Sequence, residues 1–362
     1  MKTKFNLSNR MLSLLLALVL VLGMMPTTAL AATGPFTSFT VGGTEVTGTQ
    51  SGSNWSYDAS SKTLTITGNI GASTGSLAIN APTAPNCSDV LTVRVTKNAT
   101  VKGGIYAGCK LNLVVDSGVT LKVDASGMYN AIHADYTGGV KDTLQISGGG
   151  TVYAVAKGYG IYGRSGIQIE GVTVAAKGSV YGLYSGETGS IYIENNSKVY
   201  AEASSNGELH AAIRSGTGNA AKLKISGSNT VVIAGFALGS EANGYVPDIY
   251  ATPVAARGIF TGNTDINCGH LVLGGTFQPS DAAGYGGMTS IDPTDQRYQF
   301  VSHLNRYESN DDGATHSRSC VQGCPIPIDG ITENCSGGAA NCTHKAACSK
   351  CGQGYGSINP DN

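Results

Sequence analysis

Apolar and polar residues alternate in short runs along most of the chain, and the runs recur in a fixed order. The motif Leu/Ile-x-Ile/Leu/Val stands at Leu91-Thr92-Val93, Leu111-Asn112-Leu113, Leu144-Gln145-Ile146, Ile167-Gln168-Ile169, Ile191-Tyr192-Ile193 and Leu223-Lys224-Ile225. A second alternation follows each one, starting at Ala99, Val119, Val152, Val172, Val199 and Val231, a step of eight residues in five copies and of five in the fourth. A third, shorter run has the form Ile/Leu-x: Ile105-Tyr106, Ile132-His133, Ile161-Tyr162, Leu183-Tyr184 and Ile213-Arg214. Alternation of period two marks a half-buried strand. Each unit therefore predicts three short strands over 20 to 33 residues, joined by Gly, Asn, Asp or Ser turns.

A three-strand unit repeating at this length is what a right-handed parallel β-helix requires, because each coil buries one side of every strand and stacked coils share an interior. An all-β sandwich also has short strands, but it lacks the fixed three-part order and shows hairpin turns between most neighbours. A solenoid needs its ends covered. The hairpin signal at Phe39 to Val46 and the pair Trp55-Ser56-Tyr57 and Thr63-Leu64-Thr65-Ile66 are the candidates for one cap, with the lone Trp55 as its core anchor. After about Ser240 the repeat fades, with Asp248-Ile249-Tyr250 and Leu271-Val272-Leu273 as last coils, a linker at Asp292-Pro293-Thr294-Asp295 and a new domain near Gln299.

Composition changes the picture in two ways. Lys and Arg number 23 against 24 Asp and Glu, and only 13% of the 362 residues are charged, so there is no electrostatic case for nucleic acid or an anionic membrane surface. Glycine, at 51 residues, fits many turns, and 41% apolar content argues against disorder. The first 31 residues read as a secretory signal: Lys2, Lys4 and Arg10, then an apolar run from Met11 to Met25, then Ala29-Leu30-Ala31. The expected division is a signal peptide at 1–31, cap strands at 32–68, the β-helix and its C-terminal cap at 69–298, and a Cys-rich module at 299–362.

The segment from Asn54 through Trp55, Tyr57 and Lys62 to Ile66, leading into Gly-rich coils, resembles the start of β-helical modules in large secreted surface proteins of Gram-positive bacteria, often labelled carbohydrate-binding. The tail, from Tyr307-Glu308-Ser309-Asn310-Asp311-Asp312-Gly313 through Cys320, then Glu333-Asn334-Cys335 to Cys342 and Cys348-Ser349-Lys350-Cys351-Gly352, is similar to the small Cys-rich repeats that follow such modules. The resemblance implies a secreted or cell-surface protein, and it departs from the family in the Cys320-x3-Cys324 spacing.

Read from the residues, Cys348-Ser349-Lys350-Cys351-Gly352 is a metal knuckle, two thiolates two residues apart followed by a glycine. With Cys320 and Cys324 it would make a four-thiolate zinc site of structural type, with His316 and His344 as substitute ligands and Cys335 and Cys342 left for a short disulfide. Three disulfides are the alternative, as six cysteines lie between Cys320 and Cys351 and the expected compartment is oxidising. Neither arrangement is catalytic.

An enzyme of this fold would need acids gathered in one cleft. Asp116, Asp124, Asp135, Asp142, Glu170, Glu187 and Glu194 fall singly at turns, and the nearest approach to a dyad is His133-Ala134-Asp135. The repeat offers something more specific. If Ile105, Ile132, Ile161, Leu183 and Ile213 point inward, then Tyr106, His133, Tyr162, Tyr184 and Arg214 point outward in one column. The loops beside that strand vary most in length, and in solenoids such loops mark the binding face. Flat rings with polar tips suit sugar faces, although aromatic ladders also stabilise sheets without a ligand, and Tyr153 and Tyr200 form a shorter column of the same kind. The expectation is a non-enzymatic glycan- or host-surface-binding protein; a passive stalk and a polysaccharide lyase or hydrolase are the alternatives.

Overall fold

The computed structural model describes residues 36 and 38–361, apart from 74, 84–86, 137–142, 206, 208, 218–220, 248–253, 256, 262, 275, 280–297, 304 and 321–330. The expected signal segment, the Asp248-Ile249-Tyr250 coil, the linker at 292–295 and Cys324 lie outside the described residues. The described residues are all-β, with long parallel sheets of many strands and, among them, a single 3-10 turn at Glu241–Asn243, an arrangement consistent with a β-helix or solenoid. Among the described residues no helix is long and apolar enough to cross a membrane.

The chain makes three stacks of parallel strands, and it visits them in turn. The first holds Val90–Val95, Lys110–Val115, Leu144–Ser147, Gly166–Glu170 and Ser190–Glu194, and continues into the long strand Lys222–Ala234. Leu91, Leu111, Leu144, Ile167, Ile191 and Leu223 face one another in register and are all buried, so the expected interior column is present. The third stack aligns Ile79, Ile105, Ile132, Ile161, Leu183, Ile213 and Ile259 in the same way. A fully buried aliphatic side chain of this kind contributes about 1.5–3 kcal/mol, and here the contribution repeats at every strand of the stack.

The second stack corrects the sequence reading. Its interior column runs Ala99, Leu121, Val152, Val174, Val199, Val232 and Leu271. Val119 and Val172 stand two residues before their strand's interior position, and Val231 one residue before it. Turn side chains help hold the stacked strands in step: the Asn69 and Asn98 side-chain oxygens accept from the backbone N–H groups of Thr100 and Thr120 in the next repeat, at 2.7 and 2.8 Å.

The N-terminal end is closed by antiparallel pairing. Phe39–Val41 pairs with Thr44–Val46 and Trp55–Asp58 with Thr63–Ile66, and the rings of Phe36, Phe39 and Tyr57 pack together with centroids 4.8 to 6.4 Å apart. At the other end Asn263–Gly274 carries Leu271 and Leu273 into the core and pairs antiparallel with Tyr298–His303. The strand through Gln299 thus continues the large sheet, and the separate three-stranded sheet of the tail starts at Asn305.

Candidate functional site

The strands of the third stack bury their aliphatic residue, so its neighbour turns outward. In-register parallel pairing then aligns Tyr106 with His133, His133 with Tyr162, Tyr162 with Tyr184, and Tyr184 with Arg214. All five sequence-derived residues are therefore brought together, each half-buried. Ring centroids lie 5.0 Å apart for Tyr106 and His133, 4.8 Å for His133 and Tyr162, and 5.2 Å for the stacked pair Tyr162 and Tyr184. The Arg214 guanidinium sits 5.4 Å from the Tyr184 ring centre and 5.1 Å from that of Phe260, the next residue in register.

The face holds more aromatic residues than the sequence reading found. Tyr159 and Tyr181 form a second, adjoining row: Tyr159 lies 5.1 Å from Tyr181 and 5.2 Å from Tyr184, and Tyr181 lies 4.6 Å from Tyr184. Tyr129 extends this row, its hydroxyl 3.3 Å from that of Tyr159. The signal was in the sequence as Tyr159-Gly160-Ile161-Tyr162 and Tyr181-Gly182-Leu183-Tyr184, a repeated Tyr-Gly-x-Tyr. Glycine is needed between the two tyrosines, since a Cβ at Gly160 or Gly182 would stand 2.7 Å from a backbone oxygen of the neighbouring strands.

Electrostatics keep this face largely neutral. Burial lowers the His133 imidazolium to about 4, so the ring is uncharged near neutral pH. Burial and the neighbouring Tyr184 push Tyr162 up to about 12, and burial raises Tyr106 and Tyr184 as well, so the phenols keep their protons and can donate. Asn130 Nδ2 approaches His133 Nδ1 at 3.2 Å, while His133 Nε2 and Asn130 Oδ1 are buried without a hydrogen-bond partner. Such orphaned atoms cost about 1–3 kcal/mol each. Asp135, the suggested dyad partner of His133, is held in an ion pair with Arg164 at 2.9 Å.

The Tyr153 and Tyr200 column has a different fate. Lys122, Tyr153, Ala175, Tyr200 and Ile233 align in register on the outside of the second stack, but the chain folds back over them. Phe236 and Tyr245 are buried with Tyr200, Val231, Ile233 and Val272, and Tyr245 lies flat on Tyr153 with centroids 3.7 Å apart.

In the tail, Cys348 and Cys351 are together as expected, but their described companions are His316 and Cys335. The four donor atoms all lie within 4.8 Å of one another and could hold a metal ion such as zinc. Cys324 and the Cys320 side chain lie outside the described residues. Cys335 and Cys342, expected to pair, are both free thiols, one buried and one exposed. Backbone N–H groups of Cys351 and Lys350 directed at the Cys348 sulfur bring that thiol down to about 6, while burial and the neighbouring Cys348 and Cys351 push the Cys335 thiol up to about 12. Sequence spacing alone did not join Cys335 to this set, because the contact depends on a hairpin that sets His316 beside Glu333, two residues before Cys335.

Comparison with protein-family models, with curated proteins and with solved structures finds no match.

Proposed function

We propose that this chain is a secreted or surface-associated, non-enzymatic protein whose parallel stacks are coils of a right-handed β-helix, and which binds an extended glycan along the aromatic face of the third stack. The handedness follows from the strong preference of parallel crossover connections. The observation that carries the binding reading is the continuous run Tyr106, His133, Tyr162, Tyr184 and Arg214, half-exposed and bordered by Tyr159 and Tyr181. A linear polymer is the partner whose repeat matches a row of equivalent rings. Tyrosine rings offer apolar faces to sugar C–H groups and hydroxyls to their edges. The protonated phenols favour hydrogen bonding over general acid–base chemistry, His133 offers an uncharged ring whose nitrogens are turned inward, and the charge of Asp135 is tied to Arg164. The resemblance to Gram-positive surface modules points the same way. The Cys/His cluster enters this reading as a support for the tail, not as a contact, and neither nucleic acid nor membrane is a partner.

The test is a glycan panel probed with the secreted chain, followed by Tyr162→Ala/Tyr184→Ala. The double change should weaken binding at least about tenfold, since aromatic contacts concentrate binding energy. A folded double variant that binds as well as the parent overturns the site. A panel with no bound glycan, together with lowered thermal stability of the variant, leaves the rings as a ladder within a stalk.

A further inference from the structure

We propose that His316, Cys335, Cys348 and Cys351 bind one zinc ion in a closed Cys3His site that serves as the core of the tail. Three segments supply the ligands. His316 is on the strand Thr315–Cys320, Cys335 directly follows the strand Ile331–Asn334, and Cys348 and Cys351 flank the turn beside the small sheet Ala346–Ala347 and Gly354–Tyr355.

The distances discriminate between metal and disulfide. With zinc–sulfur bonds of about 2.3 Å and zinc–nitrogen bonds of about 2.0–2.1 Å, a tetrahedron sets sulfurs about 3.8 Å apart and sulfur and nitrogen about 3.5 Å apart. His316 Nδ1 lies 3.5 Å from the sulfur of Cys335 and 3.5 Å from that of Cys348, and the sulfurs of Cys335 and Cys351 are 3.9 Å apart. A disulfide brings two sulfurs to about 2 Å and has no use for an equidistant imidazole nitrogen. The donor set fills a tetrahedron from the chain itself, which leaves no position for substrate and makes the site structural.

Burial gives a second, independent argument. Beyond residue 304, the buried side chains among the described residues are His316, Cys335 and Cys348, three of the four ligands. A small module whose described buried side chains are its candidate ligands gains from a metal staple. The local backbone is shaped for one: Cys348 N–H donates to the Gln353 carbonyl and Gly352 N–H to the Cys348 carbonyl, both at 2.8 Å, with Gly352 at a φ of 77°. Ser349 N–H reaches back to the Ser336 carbonyl at 2.9 Å, tying the turn to the segment that carries Cys335.

The experiment measures zinc and free thiols in the full chain purified without chelators, then in variants. One zinc per chain is expected, with a tetrahedral thiolate spectrum when cobalt replaces it. Cys320→Ser/Cys324→Ser and Cys342→Ser should retain the metal. Cys335→Ser and His316→Ala should weaken zinc binding by more than the roughly 10- to 100-fold that changes to a ligand's outer hydrogen-bond partners cost. Loss of zinc from the Cys320/Cys324 variant overturns the assignment in favour of a four-thiolate site, and it does so even if Cys335→Ser fails to fold. Absence of zinc with a mapped bridge involving Cys335, Cys348 or Cys351 overturns it in favour of disulfides.

Discussion

The two aromatic columns on the outside of the strand stacks are built from the same chemistry and end differently. On the second stack, Tyr153 and Tyr200 stand two strands apart with Ala175 between them, and the small side chain leaves a slot that the returning segment fills. Tyr245 lies parallel to Tyr153 at 3.7 Å, and its own backbone adopts a φ of 62° to get there, a conformation a tyrosine seldom takes. Tyr200 is left 7% exposed and Tyr245 3%. On the third stack every strand from Tyr106 to Arg214 carries a large side chain in this column, no slot opens, and the column remains half-exposed. An outward ladder is thus not by itself a binding face. What distinguishes the two is whether the chain supplies its own occupant.

The strongest way to break the comparison is to remove that occupant's anchor. Phe236 is fully buried among Tyr200, Ile233 and Tyr245. Phe236→Ala should cost about 3–5 kcal/mol of stability by cavity formation, read by denaturant unfolding, and should leave glycan binding at the third stack unchanged. A loss below about 1 kcal/mol would mean that the returning segment is a loose flap and that the two columns differ less than the structure indicates.

A pH titration gives the next largest effect, and it acts on the other column. The His133 pKa is about 4 in the folded chain because burial disfavours the imidazolium, against an ordinary value of 6.5. As pH falls below the unfolded value, the unfolded chain takes up a proton that the folded chain refuses. Stability attributable to His133 is therefore intact above about pH 6.5, falls between 6.5 and 4, and levels off below. The size is up to about 3 kcal/mol, at 1.36 kcal/mol per unit. His133→Phe keeps a ring in the column and should flatten this part of the stability profile; an unchanged slope would show that His133 is solvated.

These differences bear on how the structure is written in the chain. The first and third stacks were legible, because their inner positions are Leu or Ile while the residues between them are mostly polar or aromatic. The second stack slipped for two reasons. Alternation of period two does not say where a strand starts, so Val119 and Leu121 are equivalent until pairing selects Leu121. At Val231-Val232-Ile233 the alternation is lost, since Val232 faces the core and its neighbours face the covering segment, leaving all three at 7% exposure or less. The aromatic column of the third stack was legible from register, but its second row at Tyr159 and Tyr181 was not. Those residues share parity with the inner Ile161 and Leu183, so period two assigns them inward, yet their rings pack beside the outward Tyr162 and Tyr184. In the tail the Cys348 to Cys351 knuckle was local and visible, whereas His316 and Cys335 meet it only through long-range pairing.

The smallest effect expected concerns the cations at the two columns. Lys122 lies 6.0 Å from the Tyr153 ring centre, and Glu241 of the returning segment pairs with it at 3.7 Å. Arg214 contacts three rings, Tyr181, Tyr184 and Phe260, at 5.1 to 5.4 Å, and donates to the Tyr181 hydroxyl, yet among the described residues it has no carboxylate partner. Among the described residues, the covered column supplies its cation with a carboxylate from the returning segment, and Arg214 on the uncovered column has none. Arg214→Gln should therefore cost only about 0.5–1 kcal/mol in stability, the worth of an exposed cation–π contact, while Arg214→Lys, without the planar guanidinium, should restore only part of it. Its effect on binding depends on ligand charge. A glycan bearing a carboxylate or sulfate should lose affinity and salt dependence together in Arg214→Gln, because screening acts on the charge pair alone, whereas a neutral glycan should be nearly indifferent. Equal losses for charged and neutral glycans would show that Arg214 acts by packing against its three rings, and the comparison with Lys122 would then rest on shape rather than on charge.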